Sequence, residues 1–356
     1  MHPDVSQLSE PTDHRIHVPQ AAGVQPRWQY WLARATPWCV WLYVASLAAG
    51  WLLLRLGGDR WWFPTLILFG PRWLCAVPLL VLTPLAGLMY RRMLWPLSAA
   101  ALIVVGPIMG FCVPWATLTA RDRPAIRVLT CNVKGRCQDN EALDELIRDA
   151  APDVVALQGC WHQVRVKWPA GWHAGQYGDL LIASHYPLRE FRSVEESPRM
   201  HLLSCVVVTP DRQFTLVTLH PQSPHQSFDE VLDHRTVLRP SESGQLTQEI
   251  DNRWQDSEEV AKWLEQCGEP RIIAGDLNLP PDSAIYRRFW AGYQNAFSSA
   301  GLGFGYTEWP KMRKMRFGMR IDHILSAGGW RPRRCWVGPD VGSDHLPLIA
   351  DLYWAE

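Results

Sequence analysis

Between residues 35 and 120 the chain carries three uncharged runs, at 35–54, 73–90 and 93–120, each bounded by arginine. A stretch of about 20 apolar residues crosses a bilayer as a helix. Three in succession are not the pattern of an ordinary buried core, so the expectation is about three transmembrane helices over 35–120. A cleavable leader is not expected, because a long polar stretch comes first and two more runs follow. Residues 1–34 are polar, show no hydrophobic periodicity and read as a disordered tail. The apolar run at 61–71 is too short to span and suits a membrane interface. Arg27 and Arg34 precede the first span, and Arg91 and Arg92 separate the second from the third. If both clusters face the cytoplasm, whatever follows residue 120 lies periplasmic or extracellular. Arg55, Arg60 and Arg72 on the other side pull against this assignment.

The remaining 121–356 is one domain's worth of soluble sequence. Formal net charge is zero, so no bulk electrostatic attraction to nucleic acid exists. The nine cysteines form no CxxC pair and no zinc-like spacing. Cys39, Cys75 and Cys112 fall in apolar stretches; the pairing of the rest is open.

Strands are expected at 127–133, 153–158, 179–184, 202–208, 214–219, 271–274, 321–325 and 348–353, where β-branched and apolar residues run together. Helical spacing marks 140–150, with Asn140 as a cap, and also 249–267 and 284–290. Strands alternate with helices early and follow one another in the middle. That pattern gives an α/β sandwich of layered sheets covered by helices.

Polar side chains gather where these strands end: Asn132, His220, Asp276, Asn278, Asp322, His323, Asp344 and His345. Each is expected at a strand's C-terminal end or just past it, where neighbouring strands converge on one site. Taken singly, His220 before a proline is a loop residue and Asp344 a turn former. His323 points to the face opposite Asp322 and reads as structural. Hydrolysing a phosphodiester brings an anionic nucleophile to an anionic centre, and positive or hydrogen-bonding groups must offset that charge. An Asp–His pair suits the task, because the carboxylate raises the imidazole's proton affinity.

The segments RVLTCNV, PDVVALQ, GDLLIASHYPL, FTLVTLH, IIAGDLN, RIDHIL and GSDHLPL, in this order over residues 124–354, resemble the endonuclease/exonuclease/phosphatase superfamily of metal-dependent phosphoesterases. The resemblance implies a four-layered α/β sandwich and a hydrolase of phosphodiester or phosphomonoester bonds. It implies catalytic roles for His220, Asp276, Asn278, Asp322 and His345. Asp276 would orient or deprotonate the water, Asn278 hold the phosphate, His345 stabilise its developing charge and Asp322 orient His345. His220 would be a second phosphate-facing histidine, and Asn132 and Asp344 would serve a Mg2+ (or Mn2+) site. The apolar runs resemble the segments that anchor some bacterial members in the inner membrane.

Two positions depart from the pattern. Gly159 stands where the family usually has its metal-binding glutamate, and Lys134 where some members have an aspartate. The site loses negative charge and gains a positive one, so metal affinity should fall. A member that binds a phosphorylated ligand or a partner without turnover is therefore an alternative, and a pure assembly module a third. The basic stretch at 311–320 offers a contact for a polyanion or anionic lipid, or is a solvated loop. The membrane tether favours a lipid or cell-envelope phosphoester over nucleic acid.

Overall fold

The structure is a computed structural model that describes residues 27–119, 125–134, 141–161, 166–194, 200–223, 243–312 and 315–355. The proposed cap Asn140 and most of the expected tail lie outside these residues.

Helix α1 (Arg27–Gly57) begins inside the stretch expected as tail. Within it the hydroxyls of Thr36 and Ser46 bond back to their own helix, donating to Leu32 O and Leu42 O at 2.7 and 2.8 Å. That satisfies them without water. A short helix α2 (Trp62–Leu68) follows, then α3 (Val77–Met89), entered through a 3₁₀ turn at Arg72–Ala76. Helix α4 (Leu94–Ile103) runs on through a π turn at Val104–Ile108. Among the described residues, three stretches are long and apolar enough to cross a membrane: Tyr30–Gly57, Arg72–Met89 and Arg91–Ile108. Val40, Leu47, Ala86, Leu97, Ala100 and Val104 pack them together.

The third span is shorter than the uncharged run that announced it. The chain turns at Gly110 (φ 79°), a backbone angle that favours glycine. Cys112 then exchanges backbone hydrogen bonds with Gly303 at 2.7 and 3.1 Å. The following helix α5 (Trp115–Thr119) reaches the soluble part, where the Thr117 hydroxyl donates to Arg333 O at 3.3 Å. The 61–71 run is likewise more than an interfacial strip. Leu68 and Phe69 pack with Leu246, Ile250, Phe317 and Ile321 of the soluble domain.

The soluble part holds two six-stranded sheets. The first combines β1 (Ala125–Asn132), β2 (Val154–Gln158), β3 (His173–Tyr177) and β4 (Leu180–Ser184) with two late strands. The second contains β5 (Leu188–Ser193), β6 (Met200–Val208), β7 (Gln213–Pro221) and β8 (Arg271–Asp276). It is completed by β9 (Gln294–Asn295) and β12 (Asp322–Ala327), which follow a small hairpin of β10 (Lys311–Met312) and β11 (Met315–Arg316). The late strands of the first sheet are β13 (Trp330–Val337) and β14 (Leu348–Trp354). The orders are β13-β14-β1-β2-β4-β3 and β5-β6-β7-β8-β12-β9.

Alternation along each strand sorts side chains to two faces. Val128, Ala156, Ile182, Leu216, Ile272 and Ile324 meet between the sheets. Leu129, Val155 and Leu157 face outward and are covered by α6 (Glu141–Ala150) through Leu143 and Ile147. Val217, Ile273 and Leu325 are covered by α7 (Ser243–Glu265) and α8 (Ala284–Phe289) through Val260, Leu264 and Ile285. The result is the four-layered α/β sandwich expected, preceded by three long apolar helices.

The two parts are locked by a buried ion pair. Arg253 Nη1 of α7 lies 2.6 Å from Asp59 Oδ1 in the turn after α1, and both are buried. Trp254 Nε1 donates to Asp59 O at 2.5 Å, and Ala284 N to Gly58 O at 3.2 Å. Arg72, at the head of the second span, pairs with Asp282 Oδ2 at 2.5 Å.

Candidate active site

The side chains at one edge of the two sheets come from strands running both ways. Asn132, His220 and Asp276 close β1, β7 and β8. Asp322 instead opens β12, and His345 precedes β14. The expectation that every candidate sits at a C-terminal end is therefore corrected. β12 is antiparallel to β8 with Asp322 opposite Asp276, and β14 is antiparallel to β1, so starts meet ends.

Asp276 is the centre and is buried. Its Oδ1 accepts from Asn278 N at 2.8 Å and its Oδ2 from Asn132 Nδ2 at 3.0 Å. Two imidazoles approach the same Oδ2: His220 Nε2 at 3.8 Å and His345 Nε2 at 3.8 Å. Each is held from behind by a buried carboxylate. His345 Nδ1 lies 2.9 Å from Asp322 Oδ2, and His220 Nδ1 lies 2.8 Å from Asp179 Oδ2. Burial alone pulls the His345 pKa down. The nearby charges of Asp322, Asp276 and Glu308 overcome this and push it up to about 10. His220 moves the same way: burial lowers it, and the Asp179 bond with the Asp276 charge raises it above its ordinary value. For Asp179, burial raises the carboxyl pKa, but His220 and His201 bring it below the usual range. Burial pushes Asp322 up.

Asn278 has left the strand, with φ at 51°. Its Nδ2 donates to Pro221 O at 2.8 Å and ties the ends of β7 and β8 together. Asp344 meets Lys134, whose Nζ is 2.5 Å from Oδ2. Gly159 lies beside both Asn132 and Lys134 in the described structure. His323 points away: its Nε2 bonds Leu279 O at 2.8 Å, and burial holds its pKa down at about 3.

Sequence reasoning missed two residues. Asp179, expected as the first residue of the strand at 179–184, lies just ahead of β4. It also lies 2.5 Å from His201 Nδ1. Glu308 sits in a loop with no periodicity, yet its Oε1 is 3.7 Å from His345 Nε2. The only signal was a charged residue flanking an apolar strand, which is common on any surface.

Asp276, Asp322 and His345 each offer one ligand atom, all within 4.8 Å, a spacing that can hold a metal ion. The chemistry of the set does not fit one. An imidazole is a poor ligand for a hard cation such as magnesium, and the carboxylates of the set are already engaged, Asp322 Oδ2 by His345 Nδ1 and Asp276 by Asn278 N and Asn132 Nδ2. The other end fares no better. A hard cation such as magnesium keeps several waters and is held by one or two free carboxylates. There Asp344 is the one described carboxylate, its Oδ2 paired with Lys134 and its Oδ1 buried without a hydrogen-bond partner among the described residues. Asn132 Oδ1 accepts from Lys134 N at 3.0 Å, and Gly159 supplies no ligand.

The family model described as Endonuclease/Exonuclease/phosphatase family matches residues 129–345. No curated protein compared matches the chain. Among solved structures, the chain is similar to D. rerio TDP2 complexed with single-strand DNA product, at 17% identity and TM-score 0.45, over 65% of this chain and 100% of that one. It is similar to an endonuclease/exonuclease/phosphatase family protein from Leptotrichia buccalis, at 14% and 0.47, with the same coverage. It is also similar to the 3' phosphatase NExo from Neisseria bound to product DNA hairpin, at 18% and 0.44, again over 65% and 100%.

Proposed function

The chain belongs to the endonuclease/exonuclease/phosphatase family, and from that membership we propose that it is a membrane-held hydrolase of phosphoester bonds. The observation that carries this reading is the convergence of two carboxylate-backed imidazoles on one oxygen of Asp276. A carboxylate between two such imidazoles can take a proton on one side and have it returned on the other.

The reaction runs as follows. Water attacks phosphorus, and its proton passes to Asp276. The bond from phosphorus to the leaving oxygen breaks. That oxygen takes a proton from the His345 imidazolium, giving an alcohol and a phosphate with one ester fewer. The proton on Asp276 then returns to His345, whose Nε2 is 3.8 Å away. His220, aimed by Asp179, hydrogen-bonds a phosphoryl oxygen and offsets the charge that builds there. Magnesium or manganese, which the resemblance implied, takes no part in these steps, because Gly159 and the Lys134–Asp344 pair leave it too few free oxygen ligands.

The full chain in detergent micelles should release nitrophenol from bis-p-nitrophenyl phosphate or p-nitrophenyl phosphate. His345→Ala and Asp276→Asn should each lower turnover by about two to three orders of magnitude. Near-parental rates in both variants, at unchanged Tm, would remove the site assignment. Binding without turnover is the second reading, favoured by the Lys134–Asp344 pair and by Gly159; measured hydrolysis excludes it.

We also read the three apolar helices as spans, with the soluble domain outside the cytoplasm and facing lipid or envelope phosphoesters. The domain-side arginines have docking roles: Arg72 pairs with Asp282, and Arg60 lies over the Trp254 ring at 5.9 Å. Arg91 and Arg92, exposed at the opposite end, are left to act as the cytoplasmic signal. A C-terminal reporter active only outside the cytoplasm should be active; silence reverses the orientation.

A further inference from the structure

Resting on the hydrolase reading, we propose that the ammonium of Lys134 supplies the fixed positive charge that holds the substrate phosphate, in the place where a divalent ion would be expected. The first support is charge. Asp276, Asp322 and Glu308 surround His345, and Asp179 and Asp344 complete the rim. A phosphate entering this ring of carboxylates needs a cation whose charge does not depend on another group's proton. Among the described residues of the site, Lys134 sets its ammonium directly on a carboxylate of this rim, Asp344.

The second support is position. Lys134 follows β1 directly, in a turn with φ at 46°. Its backbone N–H is fixed on Asn132 Oδ1 at 3.0 Å, and Asn132 itself donates to Asp276. Its Nζ is anchored on Asp344, the residue before His345. The ammonium is thus tied at both ends to groups that touch the chemistry. It keeps donors to spare, since an ammonium has three and Asp344 takes one. The Lys134 side chain is about half exposed, at 46%, so substrate can reach it.

The third support is Gly159. Its φ is 68°, and a Cβ built there would lie 2.7 Å from Lys134 N, 2.8 Å from Asn132 Oδ1 and 2.9 Å from Lys134 Cα. These are mostly backbone atoms, which cannot swing aside. No carboxylate-bearing residue enters position 159 unless the Lys134 turn is rebuilt. The glycine at 159 and the turn that presents Lys134 are therefore one backbone arrangement.

An ordinary surface ion pair would contribute only about 0–1 kcal/mol and bind nothing, and the test separates the two. The probe is inorganic phosphate, titrated calorimetrically into the full chain in detergent, once with EDTA and once with millimolar magnesium. The parent should bind with the same affinity in both. Lys134→Met and Lys134→Gln should weaken binding at least about tenfold, the loss of one charge-assisted hydrogen bond. Lys134→Arg should retain most of it, and Tm should hold in all three. Binding that needs magnesium, no binding in EDTA, or methionine and glutamine variants equal to the parent would overturn the proposal. Turnover gives the second arm: it should survive EDTA and fall with Lys134→Met. Loss in EDTA with recovery in magnesium would also overturn it. Phosphate binding that follows Lys134 in a chain that cleaves no ester would instead sink the hydrolase reading and leave the phosphate site standing.

Discussion

Replacing Asp322 with Asn probes the centre of the site, because it removes a charge and keeps the shape. Asp322 is fully buried, with Oδ2 2.9 Å from His345 Nδ1. His345 is raised from 6.5 to about 10, against burial, with Asp322 the largest upward influence. A shift of that size corresponds to roughly 5 kcal/mol between the two protonation states. The sign follows from linkage. A folded pKa above the unfolded one adds stability that is complete below pH 6.5 and lost as pH rises through about 10. The burial that pushes Asp322 upward offsets part of this. The net loss in Asp322→Asn should be about 3 kcal/mol, the low end for breaking a buried pair. The loss should be largest at pH 6 and shrink above pH 10, as read by thermal unfolding in detergent. Turnover should show the same group. The parent's alkaline limb lies near pH 10; in the variant it moves toward or below neutrality, and activity at pH 8 falls about a hundredfold. An alkaline limb left near 10 in a folded variant would refute the pairing. So would a double variant with His345→Ala whose losses simply multiply, since residues that act as a unit are not additive.

Other substitutions test neighbouring links. Asp179→Asn removes the bond that holds His220 above its ordinary pKa, and should lower turnover about tenfold or more at pH 7 with a limb shifted to lower pH; an unchanged profile would leave Asp179 structural only. Gly159→Glu must adopt φ 68° and displace the Lys134 backbone, so it should lose about 1–3 kcal/mol or more and gain no magnesium-dependent rise in Tm; a clear rise would show that the turn can be rebuilt into a metal site. Arg253→Met leaves Asp59 buried without its partner and should cost about 3–5 kcal/mol, seen as a lower Tm and faster proteolysis between spans and domain; parental resistance would mean that the docking lies elsewhere.

The strands that could be read from sequence are those buried on both faces. β2, β4, β8 and β12 are near-continuous apolar runs because helices or the second sheet cover each side. The edge strands were illegible. β3 reads HAGQY and β5 reads LREFRS, both largely exposed, so nothing in them alternates. β13 carries Pro332 and three arginines, and its register shifts between Pro332 and Arg334. It holds its place through Trp330 and Cys335, which are buried between the sheets. The site divides in the same way. Asp276, Asp322 and His345 stand beside apolar strands that announce them. Asp179 and Glu308 touch the site through imidazoles distant in sequence, His220 and His345, and a contact of that range leaves no local mark. The end of the third span was hidden for a different reason. After Ile108 the chain is joined to the domain by the backbone of Cys112 and the hydroxyl of Thr117, and apolar composition does not announce such bonds.

What joins Lys134 to Gly159 is the parallel pairing of β1 and β2. The register sets Asn132 beside Gln158, and Val133 N continues the ladder to Gln158 O at 2.8 Å. The next residue on each strand must then turn away at the same point, and both turn with positive φ. Two such turns can lie in contact only if one of them lacks a Cβ. Gly159 is the one that does, and the space it leaves is taken by the Lys134 backbone and the Asn132 amide oxygen. That oxygen is thereby turned toward the Lys134 N–H, which leaves the Asn132 Nδ2 to donate to Asp276. The orientation of the central carboxylate thus depends on a glycine that contributes no atom to the chemistry. A larger residue at 159 is thus opposed by the backbone of residue 134, whatever side chain that residue carries.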